Sequence, residues 1–201
     1  MRRRTPRQAR SEHTVDMILT AAAQVLVERG YAKTSTNHVA KVAGVSIGSL
    51  YQYFGNKDEL ILAVVNRHAQ GVLGLLKSTM ADFSTNNIES AVHQFVDAMI
   101  AAHAVNPRLH RVCLEQILNL GIENLMELRS AAVAIVREQL SLRRDDIDIK
   151  DLDTAAFVLV VTVDSVVHSA FMGSETPELE CLSTEITRLI LRYLGVTSES
   201  S

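Results

Sequence analysis

Two hundred and one residues, 47% apolar and 21% charged, make a chain long enough to bury a sizeable core and too apolar to be disordered throughout. Nine glycines, three prolines, 4% aromatics and no Trp exclude a turn-rich all-β sandwich and favour helices, and two cysteines exclude a disulfide scaffold and fit a reducing, cytoplasmic setting. The net charge of −3 is unevenly spread: residues 1–60 hold nine Lys/Arg against five Asp/Glu, a net +4, and residues 61–201 hold eleven against eighteen, a net −7, so a polyanionic partner is expected for the head alone.

Residues 1–10 are arginine-rich and aperiodic and read as a flexible basic arm. An apolar stripe of Val15, Ile18, Leu19, Ala22, Val25 and Leu26 predicts a first short helix, which Gly30 would stop in a left-handed turn. A second short helix follows the natural N-cap Ser35 and ends near Gly44. A third, capped by Ser46, covers Ile47 to Tyr53, and Asn56 with Glu59 forms a capping-box pattern that opens a long fourth helix. Val92, Phe95, Val96, Met99 and His103 line a further helix that Asn106-Pro107 ends. Leu109, Val112, Cys113, Gln116, Ile117 and Leu120 mark the next, ended near Gly121. A polar helix over 123–143, an acidic loop from Asp145 to Asp153, an apolar helix over 154–172, a turn from Gly173 to Pro177 and an amphipathic helix through Leu182, Ile186, Leu189, Ile190 and Tyr193 complete an all-α chain of about nine helices. The longest apolar run, Ala155 to Val163, stops at Asp164, and Glu12 and Asp16 follow the basic start. Neither a membrane span nor a secretory signal is expected.

The stretch from Thr34 to Leu60 carries the chemistry. Val39, Ala40 and Ala43 form the inner face of one helix, Gly44 permits a tight turn, Val45 plugs the angle, and Leu50 with Phe54 anchors the next helix. That is a helix-turn-helix, with the motif at about 35–54. Its second helix offers Ser46, Gly48, Ser49, Tyr51, Gln52 and Tyr53, short or hydrogen-bonding groups with no acid among them, as suits a helix lying in a major groove.

The same residues resemble the signature of the TetR family of one-component transcriptional regulators, T-[TS]-x-x-x-[IV]-A-x-x-A-G-V-S-x-G-x-[LI]-Y-x-[YH]-F-x-x-K-[ED]-x-L. Thr34, Ser35, Val39, Ala40, Ala43, Gly44, Val45, Ser46, Gly48, Leu50, Tyr51, Tyr53, Phe54, Lys57, Asp58 and Leu60 supply it, and Gly55 is a minor departure. The match covers roughly residues 12–70. The resemblance implies a DNA-binding domain at 11–56 and a helical effector-binding and dimerisation domain at 57–201. It implies that Thr36, Tyr53 and Lys57 clamp backbone phosphates and that Ser46, Gly48, Ser49, Tyr51 and Gln52 face the groove, Gln52 being best placed to read adenine. The arginine arm either tracks a neighbouring minor groove or phosphates, or is a solvated tail.

A helix apolar on every side must be covered on every side. The 154–172 segment carries one stripe of Ala156, Val160, Val163, Val167 and Ala170 and another of Phe157, Val161, Asp164, His168 and Phe171. In the family resembled, the last two helices pack against their copies in a partner chain, so Ala156, Val160, Val163, Val167, Leu182, Ile186, Leu189 and Tyr193 are expected at a homodimer interface, with a palindromic operator as the DNA partner. Polar residues on apolar stripes are candidate effector contacts: His103, Gln116, Asp164 and His168, with Cys113 beside them. Asp164 and His168, one turn apart, could equally satisfy each other in the core. The C-terminal half shows no arginine cluster, so a small neutral or cationic hydrophobic effector is favoured. No cofactor or metal is expected, because His103, His110 and His168 are scattered without ligand-like spacing. Two alternatives accompany the expected effector-released repressor. One is a ligand-independent or protein-regulated DNA-binding factor; the other is an all-α enzyme using Cys113 with His110, for which no third catalytic group is visible.

Overall fold

The computed structural model describes residues 6–81, 87–120, 123–172 and 177–196. Among these there are nine α-helices and no strand: α1 (Pro6–Lys33), α2 (Thr36–Ala43), α3 (Ile47–Tyr51), α4 (Lys57–Ala81), α5 (Ile88–Ala104), α6 (Pro107–Leu120), α7 (Glu123–Leu142), α8 (Leu152–Met172) and α9 (Leu179–Tyr193), with a 3-10 turn at Arg144–Asp146. The all-α expectation holds. Residue 121 and the 173–176 turn, both assigned from the sequence, lie outside the described residues.

Several boundaries differ from the sequence reading, each for a local reason. α1 is long, its described part running from Pro6 to Lys33. Residues 6–10 of the expected arm are therefore helical, while 1–5 lie outside the described residues. Gly30 interrupts the helical backbone of α1, as expected, though in another conformation. At φ +70° and ψ 169° it occupies a region that only glycine enters readily, distinct from the left-handed cap expected. The helix closes three residues later, where the Thr34 N–H donates to the Tyr31 carbonyl (3.1 Å) and the Thr34 hydroxyl to the Gly30 carbonyl (2.8 Å). α3 stops at Tyr51, not Tyr53: the Tyr53 N–H donates three residues back to Leu50 (3.0 Å), a tightening that tucks Phe54 into the core. The acidic stretch after α7 holds the 3-10 turn within what was expected to be plain loop.

Packing divides the chain into two units, and the division differs from the expected boundary at residue 57. One unit runs to His68 and includes Arg108–Ile122, so the first three turns of α4 and most of α6 join the helix-turn-helix; the other holds Ala69–Pro107 and everything from Glu123. The first unit's core is Ile18, Ala22, Val25 and Leu26 of α1, Val39 and Ala40 of α2, Leu50, Phe54, and Leu60, Ile61 and Val64 of α4, with Leu109 and Val112 of α6 packed against it. Arg67 ties α4 to α1, donating to Asp16 Oδ1 and Thr20 Oγ1 at 3.0 Å each. In the second unit α5 packs against α8 and α9, and α7 against α8. Val92, Phe95, Val96, Leu140, Leu159, Val163, Ile186 and Ile190 form its core. α8 is long and apolar enough, by length and composition, to cross a membrane, which the sequence reading discounted; in this fold one stripe of it, from Ala155 to Ala170, is a buried core face.

Candidate functional site

The helix-turn-helix is assembled from caps. The Ser35 side chain accepts from the His38 N–H at 3.3 Å to start α2. Gly44, at φ +69° and ψ 25°, ends α2 in the left-handed conformation that glycine adopts without Cβ strain, and its N–H returns to α2 carbonyls. The Ser46 hydroxyl then accepts from the Ser49 N–H (3.0 Å) to open α3. Leu50 is fully buried and pins α3 to the core, turning its opposite face outward. On that face Ser46, Gly48, Tyr51, Gln52 and Tyr53 are exposed, and Ser49 is half-buried.

The structure therefore brings the groove-facing candidates onto one surface and adds detail to each. The Ser46 and Ser49 hydroxyls share a hydrogen bond of 2.8 Å, which presents them as a fixed pair. The Thr36 and Tyr51 hydroxyls, 3.1 Å apart, brace α3 against the start of α2. Tyr53 accepts from Ser11 Oγ at 3.2 Å. Asn56 caps α4 by accepting from the Glu59 N–H (2.8 Å). The Glu59 carboxylate bonds the Gly55 N–H (2.9 Å), one residue earlier than a strict capping box places it.

Sequence reasoning missed Tyr31. The bend at Gly30 presents it to the first turn of α4, where its hydroxyl donates to the Asp58 carboxylate. Lys57 Nζ donates to the Tyr31 carbonyl (3.2 Å) and lies 3.9 Å from the centre of the Tyr31 ring. Lys57, expected on phosphate, is thus also a clasp between α1 and α4. A glycine followed by an aromatic, with Lys-Asp opening a later helix, was the available signal. The hydrogen bond to Asp58, followed by desolvation and the Asp58 charge, holds the Tyr31 phenol above its ordinary value of 10.0. A raised phenol contributes stability that is fully present below pH 10 and is lost as pH climbs through the folded-state value. Tyr31→Phe is expected to abolish that alkaline loss in chemical denaturation at pH 9 to 11, and an unchanged alkaline slope would count against the clasp.

His103 on α5 and Asp164 and His168 on α8 come together in the second unit. His168 Nδ1 is 3.2 Å from Asp164 Oδ1, and the His103 and His168 rings meet edge to face with centres 4.7 Å apart. Burial alone would raise the Asp164 carboxyl; the hydrogen bond and charge of His168, with lesser effects of His103 and Arg129, outweigh it and hold the group below its ordinary value. Cys113 and Gln116 lie on α6 in the other unit. Burial pushes the Cys113 thiol up to about 12, so it is no nucleophile near neutral pH. His110 shares a 2.8 Å hydrogen bond with His68. Gln116 is buried, and its Oε1 has no hydrogen-bond partner among the described residues.

Of the residues expected at a homodimer interface, Ala156, Val160, Val163, Val167 and Ile186 are buried in the chain's own core, Leu182 is half-buried, and Leu189 (51%) and Tyr193 (39%) are exposed, as are Phe157 (52%) and Met172 (44%) of α8 and Leu179 (37%) of α9. Arg188 and Arg192, one turn apart on α9, line a cleft of about 340 Å³ together with His93, Thr184 and Leu191.

The profile described as bacterial regulatory proteins of the tetR family matches residues 18–64, and one described as a tetracyclin repressor-like C-terminal domain matches 87–194. The chain is 37% identical over 82 residues to the HTH-type transcriptional activator FasR of Mycolicibacterium smegmatis, a match spanning 40% of this chain and 37% of that protein. It is 24% identical over 185 residues to the fatty acid metabolism regulator protein of Bacillus subtilis, covering 87% of this chain and 92% of that one. Its fold is that of Bacillus subtilis FadR, solved in complex with stearoyl-CoA, with a TM-score of 0.72 at 20% identity over 87% of this chain and 96% of the other. With profiles covering both its helix-turn-helix and most of its second half, and with regulators rather than enzymes as relatives, the chain belongs to the TetR family of bacterial transcriptional regulators.

Proposed function

We propose that the protein is a cytoplasmic, nucleoid-associated homodimeric repressor that binds a palindromic operator through α3 and is released by a small hydrophobic effector. The observation that carries the reading is the exposed face of α3, where Gly48, Tyr51 and Gln52 stand clear of the core on a helix that Leu50 and the Ser46 cap hold rigidly. A two-fold dimer sets two such helices on half-sites about 34–36 Å apart or a multiple of that. Phe157, Leu189 and Tyr193 supply the apolar surface that a second copy would cover.

Fatty-acyl compounds are the proposed effector class. The support is the name of the Bacillus subtilis relative, the ligand of the FadR structure, and the apolar second unit of this chain. Between α5, α7, α8 and α9 a cavity of about 30 Å³ is lined by Val92, Phe95, Leu140 and Leu159, with Arg143 at its wall. That is room for about one water molecule, so an acyl chain must part the helices to enter. Parting them would move α4, which runs without a break from the helix-turn-helix unit into the second unit. A coupling free energy of about 1–3 kcal/mol would lower operator occupancy about 5–150-fold.

Fluorescence anisotropy on duplexes selected from the DNA flanking the gene, with and without acyl compounds, tests both steps. Specific binding that weakens steeply with salt and is relieved by an acyl compound is the expected result. Equal affinity for selected and random duplexes would remove the repressor reading, and a bound acyl compound that leaves DNA affinity unchanged would remove the release step.

A further inference from the structure

We propose that His103 and His168 form a binding site for a divalent transition-metal ion of the zinc, nickel or copper class, inside the second unit and independent of operator recognition. His103 sits in the last turn of α5 and His168 in α8, and a ring nitrogen of one lies within 4.8 Å of a ring nitrogen of the other. Two imidazoles on a common ion, each about 2.0–2.1 Å from it, bring their nitrogens closer than this, so small rotamer shifts suffice to close the site.

The groups that orient both rings are already in place. The Met99 carbonyl can only accept, so His103 Nδ1–H donates to it, at 2.6 Å, and the coordinating lone pair is placed on Nε2. His168 Nδ1 is directed to the Asp164 carboxylate at 3.2 Å, which fixes the same tautomer. A carbonyl or carboxylate on the far nitrogen is the arrangement that orients metal-ligating histidines and raises their basicity. The Phe171 ring stacks on His103 with centres 6.3 Å apart and gives the site an apolar wall. His103 is buried and His168 partly exposed, so an ion would enter from the His168 side. Imidazole donors favour zinc, nickel and copper over magnesium or calcium, and two protein ligands leave positions for water or for a donor atom of an effector. The spacing of the two histidines in sequence gave no hint of this; the packing of α5 against α8 creates it.

The test is isothermal titration of the chelator-treated full-length chain with Zn²⁺, Ni²⁺ and Mg²⁺, together with visible absorption after Co²⁺ addition. Zn²⁺ is expected to bind at one ion per chain, Mg²⁺ to give no heat, and Co²⁺ to show d–d bands. His168→Gln is expected to weaken Zn²⁺ at least tenfold and to change the Co²⁺ spectrum. Asp164→Asn is expected to weaken it by about 10–100-fold while both ligands remain. His168 is partly exposed, so its replacement is compatible with folding, which circular dichroism checks. Absence of Zn²⁺ binding to the parent chain, or binding and Co²⁺ spectra unchanged in both variants, overturns the proposal. No DNA enters the measurement, so the outcome is separate from that of the operator experiment.

Discussion

Replacing Gly48 with valine is expected to cut operator affinity by about 100-fold or more while the melting transition stays in place, because the change adds bulk to the surface proposed to face the groove and nothing to the interior. A Cβ built on Gly48 meets nothing nearer than Ser46 Oγ at 3.8 Å, ordinary contact, and the residue is exposed on α3. Inside a helix the substitution also removes the excess backbone entropy of glycine. Bound DNA would meet the new methyl groups where the helix backbone must come close to base edges and phosphates. Anisotropy titration paired with thermal denaturation separates the two effects. Gly71→Ala, on α4 with open space around its Cβ, is the control: it should stabilise by about 0.5–1 kcal/mol and leave DNA affinity alone. If Gly48→Val binds as tightly as the parent, α3 does not enter a groove.

Leu50→Ala is expected to destabilise the protein by about 2–5 kcal/mol, the largest stability effect among the substitutions considered. Leu50 has no exposed surface and joins α3 to Val39, Ala40, Phe54 and Leu60 of the first core. Truncation removes its apolar contacts and leaves a cavity that a five-residue helix, held otherwise by the Ser46 cap, cannot close by shifting. Urea denaturation measures the loss. DNA affinity should fall with it, in contrast to Gly48→Val, because the face of α3 would no longer be held. A loss below about 1 kcal/mol would show that α3 is anchored elsewhere.

The helix-turn-helix could be read from residues alone because its determinants are local. Ser35, Gly44 and Ser46 act within one turn of themselves, and the Val39, Ala40, Ala43 and Leu50 pattern reports a buried face whatever lies across it. Helix ends were less readable where a distant group decides them. The bend at Gly30 holds because Tyr31 is claimed by Lys57 and Asp58, some 26 residues on. The shortened α3 reflects the pull of Phe54 into the core. In the second half, periodicity found the stripes of α8 and α9 but could not say which one faces inward. The stripe of Ala156, Val160 and Val163, which the resemblance offered to a partner chain, is buried in the chain's own core.

Chain order alone thus settled the all-α class, the caps and the DNA-reading motif, since each depends on interactions spanning three or four residues. Only packing decided the rest: the membership of α6 in the first unit, the clasp at Tyr31, the burial of Cys113 and the meeting of His103 with His168. Those features join helices far apart in sequence, and spacing along a chain carries no information about which of two apolar faces a remote helix will cover.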